Sequence, residues 1–303
     1  MQARVNDSSS QVFGIFANIT RDDIAPVTAP LIAYLKARSH QYYIETELAE
    51  RLAEADVEVD QSRVFDRGGV AKRSTILITF GGDGTMLAVS QFSLQYDVPI
   101  LGVNLGKLGF LSDIRPDDVI HAVERIIDEQ YRVQKRMTLC GKIAEGGEEF
   151  YALNDIVVSK SGNTKVIEID TYLNDEYVAT FFADGIILST PTGSTAYSLA
   201  TGGPVVIPSV EAIIVSPISA HALTARPLIV PCGDTVRLVT KPSDGIAMVM
   251  TDGKVEASEL SELELTVRKG QKYVKLVKGI GPSYFDTLRE KLHWATDARR
   301  NSI

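Results

Sequence analysis

Thr75-Ile76-Leu77-Ile78-Thr79-Phe80 runs directly into Gly81-Gly82-Asp83-Gly84-Thr85. The first six residues are apolar or β-branched almost without interruption, which is the pattern of a strand buried on both faces of a parallel sheet. The glycines that follow mark its end, and a short helix is expected from about Thr85 to Phe92. Working outward, Val12 to Phe16 reads as a short strand, with Asn18 as a turn former after it. A helix is expected from about Ala25 to Arg38, with Leu31, Ile32, Tyr34 and Leu35 on its apolar side. Tyr42-Tyr43-Ile44 is a second candidate strand, and Thr46 can cap a helix continuing to about Ala55. Downstream, Pro99 to Val103 is another buried strand, followed by a glycine-bearing turn from Asn104 to Gly109. Pro116 and Asp117 begin a helix whose apolar face carries Val119, Ile120, Val123, Ile126 and Ile127. Strands separated by helices predict an open, mostly parallel α/β sheet.

After about residue 130 helical spacing gives way to alternation. Ile167, Ile169, Thr171 and Leu173 alternate with Glu168, Asp170 and Tyr172. Further strand-like runs cover Phe150–Leu153, Tyr177–Phe182, Gly185–Leu188, Ala212–Val215, Thr235–Leu238, Ala247–Thr251 and Tyr273–Val277. Glycine and proline punctuate them, as in a mostly β domain. The expected division is therefore an α/β domain over 11–130, a mostly β domain over 131–282, and a C-terminal helix within 283–295 that can pack back on the first domain.

The 303 residues suffice for one large domain or two ordinary ones. Apolar residues make up 45% and charged residues 23%, so the chain is neither disordered nor a disulfide framework. No stretch approaches the ~20 apolar residues of a spanning helix, and the first ten residues lack an apolar secretory core. Cys140 and Cys232 have no paired spacing, so two reduced, buried thiols in a cytoplasmic protein are expected. With 31 basic against 39 acidic residues, a general nucleic-acid binder is excluded as an expectation, and no membrane partner is expected. A small phosphorylated ligand remains compatible, because main-chain N–H groups act at short range.

Two stretches carry chemistry. Gly81–Thr85 stands where a strand ends and a helix begins, the usual ligand position in open α/β sheets. It lacks both the Gly-Lys-Ser/Thr of a Walker loop and the G-x-G-x-x-G dinucleotide fingerprint. Asp83 opposes phosphate by its charge, so it must take a proton from a hydroxyl, hold a metal or cap the helix. Asp184 through Ser198 is the densest feature: an apolar strand enters a run of serines and threonines interleaved with Pro191 and Gly193. Hydroxyls and free main-chain donors at a helix start near Thr195 suit phosphate or ribose contacts; an elaborate helix cap is the plainer alternative.

These stretches occur in order with Asn104-Leu105-Gly106-Lys107-Leu108-Gly109-Phe110-Leu111, Asn154-Asp155, Ala225-Arg226-Pro227 and Tyr284-Phe285-Asp286-Thr287-Leu288-Arg289. Together they resemble the bacterial NAD kinase family over roughly residues 10–295. The resemblance implies phosphoryl transfer from ATP, or in some members polyphosphate, to the 2′-hydroxyl of the adenosine ribose of NAD, with a divalent cation, usually Mg²⁺. It implies that Asp83 is the general base and that Gly84 lies against the substrate. It assigns Asn154 to an adenine edge and Asp155 to ribose or adenine donors, while Asp184 accepts from the nicotinamide-side carboxamide or ribose. Thr195, Ala196, Tyr197, Ser198, Leu199 and Ala200 match the segment around the adenosine half, with Thr195 and Tyr197 as the specific contacts. Lys165 matches an often basic position that can meet a phosphate, and Lys254 follows the Asp252-Gly253 position where relatives carry a polar ligand contact. Asp-Gly is also a hairpin signal in its own right. Metal ligands are not assigned, Asp83 and Asp155 being the candidates. A homodimer or homotetramer is implied, because related pockets are completed across subunits.

Phe182 departs from the pattern, since many relatives carry a basic residue two positions before the Asp184 equivalent. The histidines are less informative: His121 reads as structural, and His221 as either structural or near the ligand. Two alternatives compete with an NAD kinase: a lipid or sugar kinase sharing the Gly-Gly-Asp-Gly loop, and a non-catalytic NAD(P) sensor. The first leaves the Ser/Thr-rich segment unexplained, and the second leaves the charge of Asp83 without purpose.

Overall fold

The computed structural model describes residues 11–144, 146–162, 166–241, 246–278 and 281–294. Strands β1 (Val12–Ala17), β2 (Gln41–Glu45), β3 (Val64–Phe65), β4 (Ile76–Gly81), β5 (Ile100–Asn104) and β6 (Arg132–Arg136) come first. Helices α1 (Ile24–Ala37), α2 (Thr46–Glu54), α3 (Arg67–Arg73), α4 (Asp83–Tyr96) and α5 (Val119–Ile127) fall between them. Strands β7 (Leu139–Ile143), β8 (Glu149–Ala152), β9 (Asp155–Lys160), β10 (Ile167–Leu173), β11 (Glu176–Ala183) and β12 (Gly185–Ser189) follow, then the short helix α6 (Tyr197–Ala200). Next come β13 (Ala212–Ile218), β14 (Leu228–Pro231), β15 (Val236–Thr240), β16 (Ala247–Thr251), β17 (Lys254–Leu260) and β18 (Leu263–Lys269). The chain closes with β19 (Val274–Lys278) and α7 (Tyr284–Leu292). The described residues form two compact units, one from 11–135 with 275–294 and one within 136–274.

The first unit is built on a seven-stranded sheet in the order β3-β2-β1-β4-β5-β19-β6, in which β2, β1, β4 and β5 run parallel. Every residue of β4 is buried, as its uninterrupted apolar run predicts. In α1 the buried residues Ile24, Thr28, Leu31, Ile32 and Leu35 recur at helical spacing, and its apolar members join Phe13, Ile15, Ile44 and Ile78 in one core. The sheet starts in its middle: β1 leads outward to β2 and β3, whereas β4 returns beside β1 and leads the other way to β5. The segments after β1 and β4 therefore diverge, and this switch point is where open α/β sheets form a ligand crevice. Gly82 and Asp83 occupy it.

The second unit consists of two six-stranded sheets, β11-β10-β15-β18-β7-β8 and β14-β13-β12-β9-β16-β17, whose neighbouring strands pair antiparallel throughout. Strands β10, β15 and β16 alternate buried with half-buried residues, as their sequences predict. Ile156, Val158, Ile167, Ile169, Ile186, Leu188, Leu238 and Leu265 belong to its core.

Several details differ from expectation. The run Tyr273–Val277, grouped with the β-rich strands, instead supplies β19, which pairs in parallel with β5. Its apolar residues fit either kind of sheet, and only the partner strand distinguishes them. Helix α4 begins at Asp83 rather than Thr85, because Gly82 takes the cap position. Glu45, not Thr46, precedes the first turn of α2. Cys140 is buried, but Cys232 is only half-buried, and both thiols are free. No described helix is long and apolar enough to cross a membrane.

Ile78 is fully buried at the centre of the seven-stranded sheet. Ile78→Ala is expected to destabilise the fold by about 2–5 kcal/mol through lost burial and the cavity left behind. Urea unfolding reads this as a lowered midpoint with an unchanged slope.

Candidate functional site

The expected site residues are divided between the two units. In the first, Asp83 opens α4, but it does not cap it. Its carboxylate crosses to the loop after β5. Oδ2 accepts from the Phe110 N–H at 2.9 Å, and Oδ1 accepts from the N–H groups of Leu111 at 3.0 Å and Ser112 at 3.2 Å. The Ser112 hydroxyl adds a bond to Oδ1 at 3.3 Å. Lys291, from α7, brings its ammonium to 3.6 Å from Oδ2 and 4.8 Å from the centre of the Phe110 ring. Phe110 also packs against Tyr284 of α7. Asn104 organises the same loop from within: its amide donates to the Lys107 and Ser112 carbonyls and accepts from the Gly106 N–H. Lys278 pairs with buried Asp113 at 2.7 Å and donates to the Leu111 carbonyl. Gly109 has to be glycine, because a Cβ there would strike the Asp83 carboxylate. The opposite holds for Gly82 and Gly84, where a Cβ would meet, among the described residues, no atom within 4 Å beyond its own local backbone. The packing of the protein gives no reason for glycine at those two positions, whereas a closely approaching ligand does.

In the second unit Asn154 and Asp155 lie at the turn into β9. Asp252 receives the N–H groups of Leu153, Asn154 and Asp155 at 2.7, 2.7 and 3.1 Å. From the other side Thr190 donates its hydroxyl to the Leu153 carbonyl and its N–H to the Asn154 carbonyl. Gly193 packs so tightly against the Asn154 main chain that no Cβ fits. Asp155 is 6% exposed. Burial, with the Asp252 charge added, pushes its carboxyl up to about 7. Burial likewise raises Asp252, against the lowering effect of its three N–H bonds.

The hydroxyl-rich segment is mostly turned inward. Ser189, Thr190, Ser194 and Ser198 are fully buried. Ser194 bonds the Pro191 carbonyl and both main-chain groups of Val206. Ser198 shares a bond with Ser216 at 3.1 Å. Thr195, Ala196 and Leu199 are half-buried, and Tyr197 and Ala200 are exposed.

The sequence profile of the ATP-NAD kinase N-terminal domain matches residues 13–131, and that of the ATP-NAD kinase C-terminal domain matches residues 153–279. The chain belongs to the ATP-NAD kinase family. An NAD kinase of Caldanaerobacter subterraneus subsp. tengcongensis is 35% identical over 286 residues, covering 92% of this chain and 98% of that protein. One from Syntrophotalea carbinolica is 35% identical over 288 residues, covering 93% and 98%. The fold is shared with the crystal structure of yeast NADH kinase complexed with NADH, at a TM-score of 0.85 and 24% identity over 95% of this chain and 89% of that one. It is also shared with an Archaeoglobus fulgidus NAD kinase in complex with ATP, at 0.70 and 23% over 93% and 98%.

Within this kinase-family chain the expected residues are not equally placed to meet a ligand. The cap role open to Asp83 is not the one it takes. The Ser198 hydroxyl shares its bond with Ser216 in the interior. Lys254 begins β17 with its side chain 78% exposed and 3.3 Å from Glu256. Lys165 lies outside the described residues. Asp184 sits at the far end of β12 from the Asn154 turn, since Gly185 pairs with Ser159 and Ser189 with Asp155. Asp184 lies opposite Lys160 and Asn154 opposite Thr190, so the strand puts about 20 Å between them. Phe182 is 50% exposed, and Lys160 of β9 pairs with Asp184 at 2.6 Å. Sequence spacing gave no warning of Lys160, which reaches Asp184 from a neighbouring strand. His221 is exposed, and its N–H bonds the Phe182 carbonyl.

The raised Asp155 carboxyl carries a stability consequence. In the folded protein it holds its proton up to about pH 7, whereas the unfolded chain releases it near the ordinary value of 3.8. The folded state thus binds more protons across that window, and its stability falls as pH rises from about 4 to about 7. Asp252 acts in the same sense. Asp155→Asn is expected to flatten that decline; urea midpoints measured across the window, with an unaltered decline in the variant, would refute the assignment.

Proposed function

We propose that the chain transfers the terminal phosphoryl group of ATP to the 2′-hydroxyl of the adenosine ribose of NAD, giving NADP. The observation that carries this reading is the Gly-Gly-Asp-Gly loop at the switch point of the parallel sheet, in a chain that both domain profiles of the family match. Asp83 is the general base. Its Oδ1 is filled by three donors, while Oδ2 receives one N–H and faces Lys291. Oδ2 is therefore the oxygen that takes the ribose proton, as the ribose oxygen attacks the γ-phosphorus and ADP departs. A carboxylate is a weak base, so most of its effect comes from placement. The open spaces at Gly82 and Gly84 admit the donor phosphates. The yeast neighbour binds NADH and the archaeal one ATP, which supports two nucleotide substrates. Asn154 and Asp155 bind the adenosine side, with Thr195 and Tyr197 beside them, and Asp184, paired with Lys160, receives the nicotinamide side.

A divalent cation, Mg²⁺, is the proposed cofactor. No cluster of three or more His, Cys, Asp or Glu among the described residues could hold a metal ion. That suits Mg²⁺, which is commonly held by substrate phosphates and one or two carboxylates rather than by a protein cage. With Asp83 Oδ1 filled and Oδ2 given to the ribose proton, the substrate phosphates would hold the ion, which would neutralise charge on the transferring phosphate. Two free thiols support a cytoplasmic setting.

Purified protein given NAD, ATP and Mg²⁺ is expected to form NADP, read with an NADP-specific dehydrogenase; polyphosphate in place of ATP tests the donor. Asp83→Asn is expected to lower kcat by about a hundredfold or more while the KM for NAD changes little. Undiminished kcat would remove Asp83 from the chemistry.

The working form is proposed to be a homodimer or homotetramer. Edge strand β11 exposes Tyr177, Val178 and Phe182, and edge strand β14 exposes Leu228 and Ile229. Unpaired edges bearing apolar side chains are uncommon on monomers. Light scattering is expected to give a multiple of the chain mass, reduced by Ile229→Asp. A wild-type mass of one chain would overturn this.

A further inference from the structure

We infer that Asp252 is a positioning residue for the acceptor dinucleotide, holding the Leu153-Asn154-Asp155 turn so that the Asn154 amide stands ready for the ligand. The inference deepens the proposed function and rests on its reading of Asn154 as an NAD contact.

Asp252 and Gly253 form the two-residue loop of the β16–β17 hairpin, in which Thr251 pairs with Lys254. Their φ angles are 49° and 81°, the left-handed pair that a tight primed turn requires. Asn-Gly makes such a turn as readily as Asp-Gly and buries no charge. The hairpin therefore does not explain the carboxylate. Both carboxylate oxygens leave the hairpin for a segment about a hundred residues earlier in the chain. Oδ2 accepts from Leu153, and Oδ1 from Asn154 and Asp155. The Asp252 N–H returns a bond to the Asp155 carbonyl at 3.0 Å. Thr190 holds the carbonyls of Leu153 and Asn154.

Every main-chain polar group of the turn is thus engaged. What remains is the side-chain amide of Asn154, half-buried and without a partner among the described residues. A backbone fixed on both sides and one polar arm left open is preorganisation for a ligand. The residue type follows from donor counting. Three N–H groups converge on two oxygens, and an amide at position 252 would turn an NH₂ toward at least one of them. Asp252→Asn therefore releases part of the turn without leaving a cavity.

The test is steady-state kinetics of Asp252→Asn, Asn154→Ala and the double variant. Asp252→Asn is expected to raise the KM for NAD by about tenfold, with kcat at saturating NAD and the KM for ATP changed less than about twofold. Because Asp252 acts through Asn154, the double variant should be no worse than Asn154→Ala alone. If Asn154→Ala raises the NAD KM while Asp252→Asn does not, or if the two effects multiply, the role of Asp252 falls and the NAD contact stands. If Asn154→Ala leaves the NAD KM unchanged, the reading of the contact itself fails. Asp252→Glu keeps the charge but displaces the carboxylate by a methylene, and it serves where Asp252→Asn does not fold. A folded Asp252→Glu enzyme with wild-type KM for NAD would also overturn the inference.

Discussion

Three successive main-chain N–H groups that leave water together need acceptors, and no strand or helix supplies them at a sharp turn. A single carboxylate can serve all three, because an ionised acid offers two oxygens and several lone pairs. This chain uses that solution in each unit. Asp83 collects Phe110, Leu111 and Ser112; Asp252 collects Leu153, Asn154 and Asp155. In both cases the acid comes from a distant part of the chain, so the bonds fix one loop to another. A buried or half-buried charge is costly, and converging N–H donors are what offset it.

The consequence is that both candidate loops are rigid where their main chain is concerned and open where a ligand would approach. Around Asp83 the loop is further braced by Asn104, by the Lys278–Asp113 pair and by Phe110 against Tyr284. Among the described residues, none crowds the space beside Gly82 and Gly84. Around Asn154 the carbonyls are held by Thr190, and the side-chain amide is left over. Rigid backbone with an open polar arm lowers the ordering cost of binding, the usual basis of tight and specific sites.

The hydroxyl-rich segment shows how composition can mislead about role. Ser189, Thr190, Ser194 and Ser198 suggest a ligand surface when read along the chain, yet their hydroxyls bond carbonyls, N–H groups and, for Ser198, the Ser216 hydroxyl in the interior. They build the turn that presents Thr195 and Tyr197. The same inversion applies to Phe182. Phe182 carries no charge, and the cation beside Asp184 is Lys160, which reaches it across a strand pair rather than along the sequence.

Local patterns settled much of the architecture. Apolar runs and helical spacing identified the central strands and helices of the first unit, since burial of β4 on both faces demands a continuous apolar stretch. Alternation identified the β-rich character of the second, and Gly81–Thr85 marked the passage from β4 into α4. Short elements such as β3 and α3 escaped that reading, being too brief to show a period. So did the sheet to which β19 belongs, the partner of Asp184 and the work of Asp252. Periodicity reports which face of an element avoids water. It carries no information about which distant donor meets which acceptor, and that pairing exists only once the chain has folded.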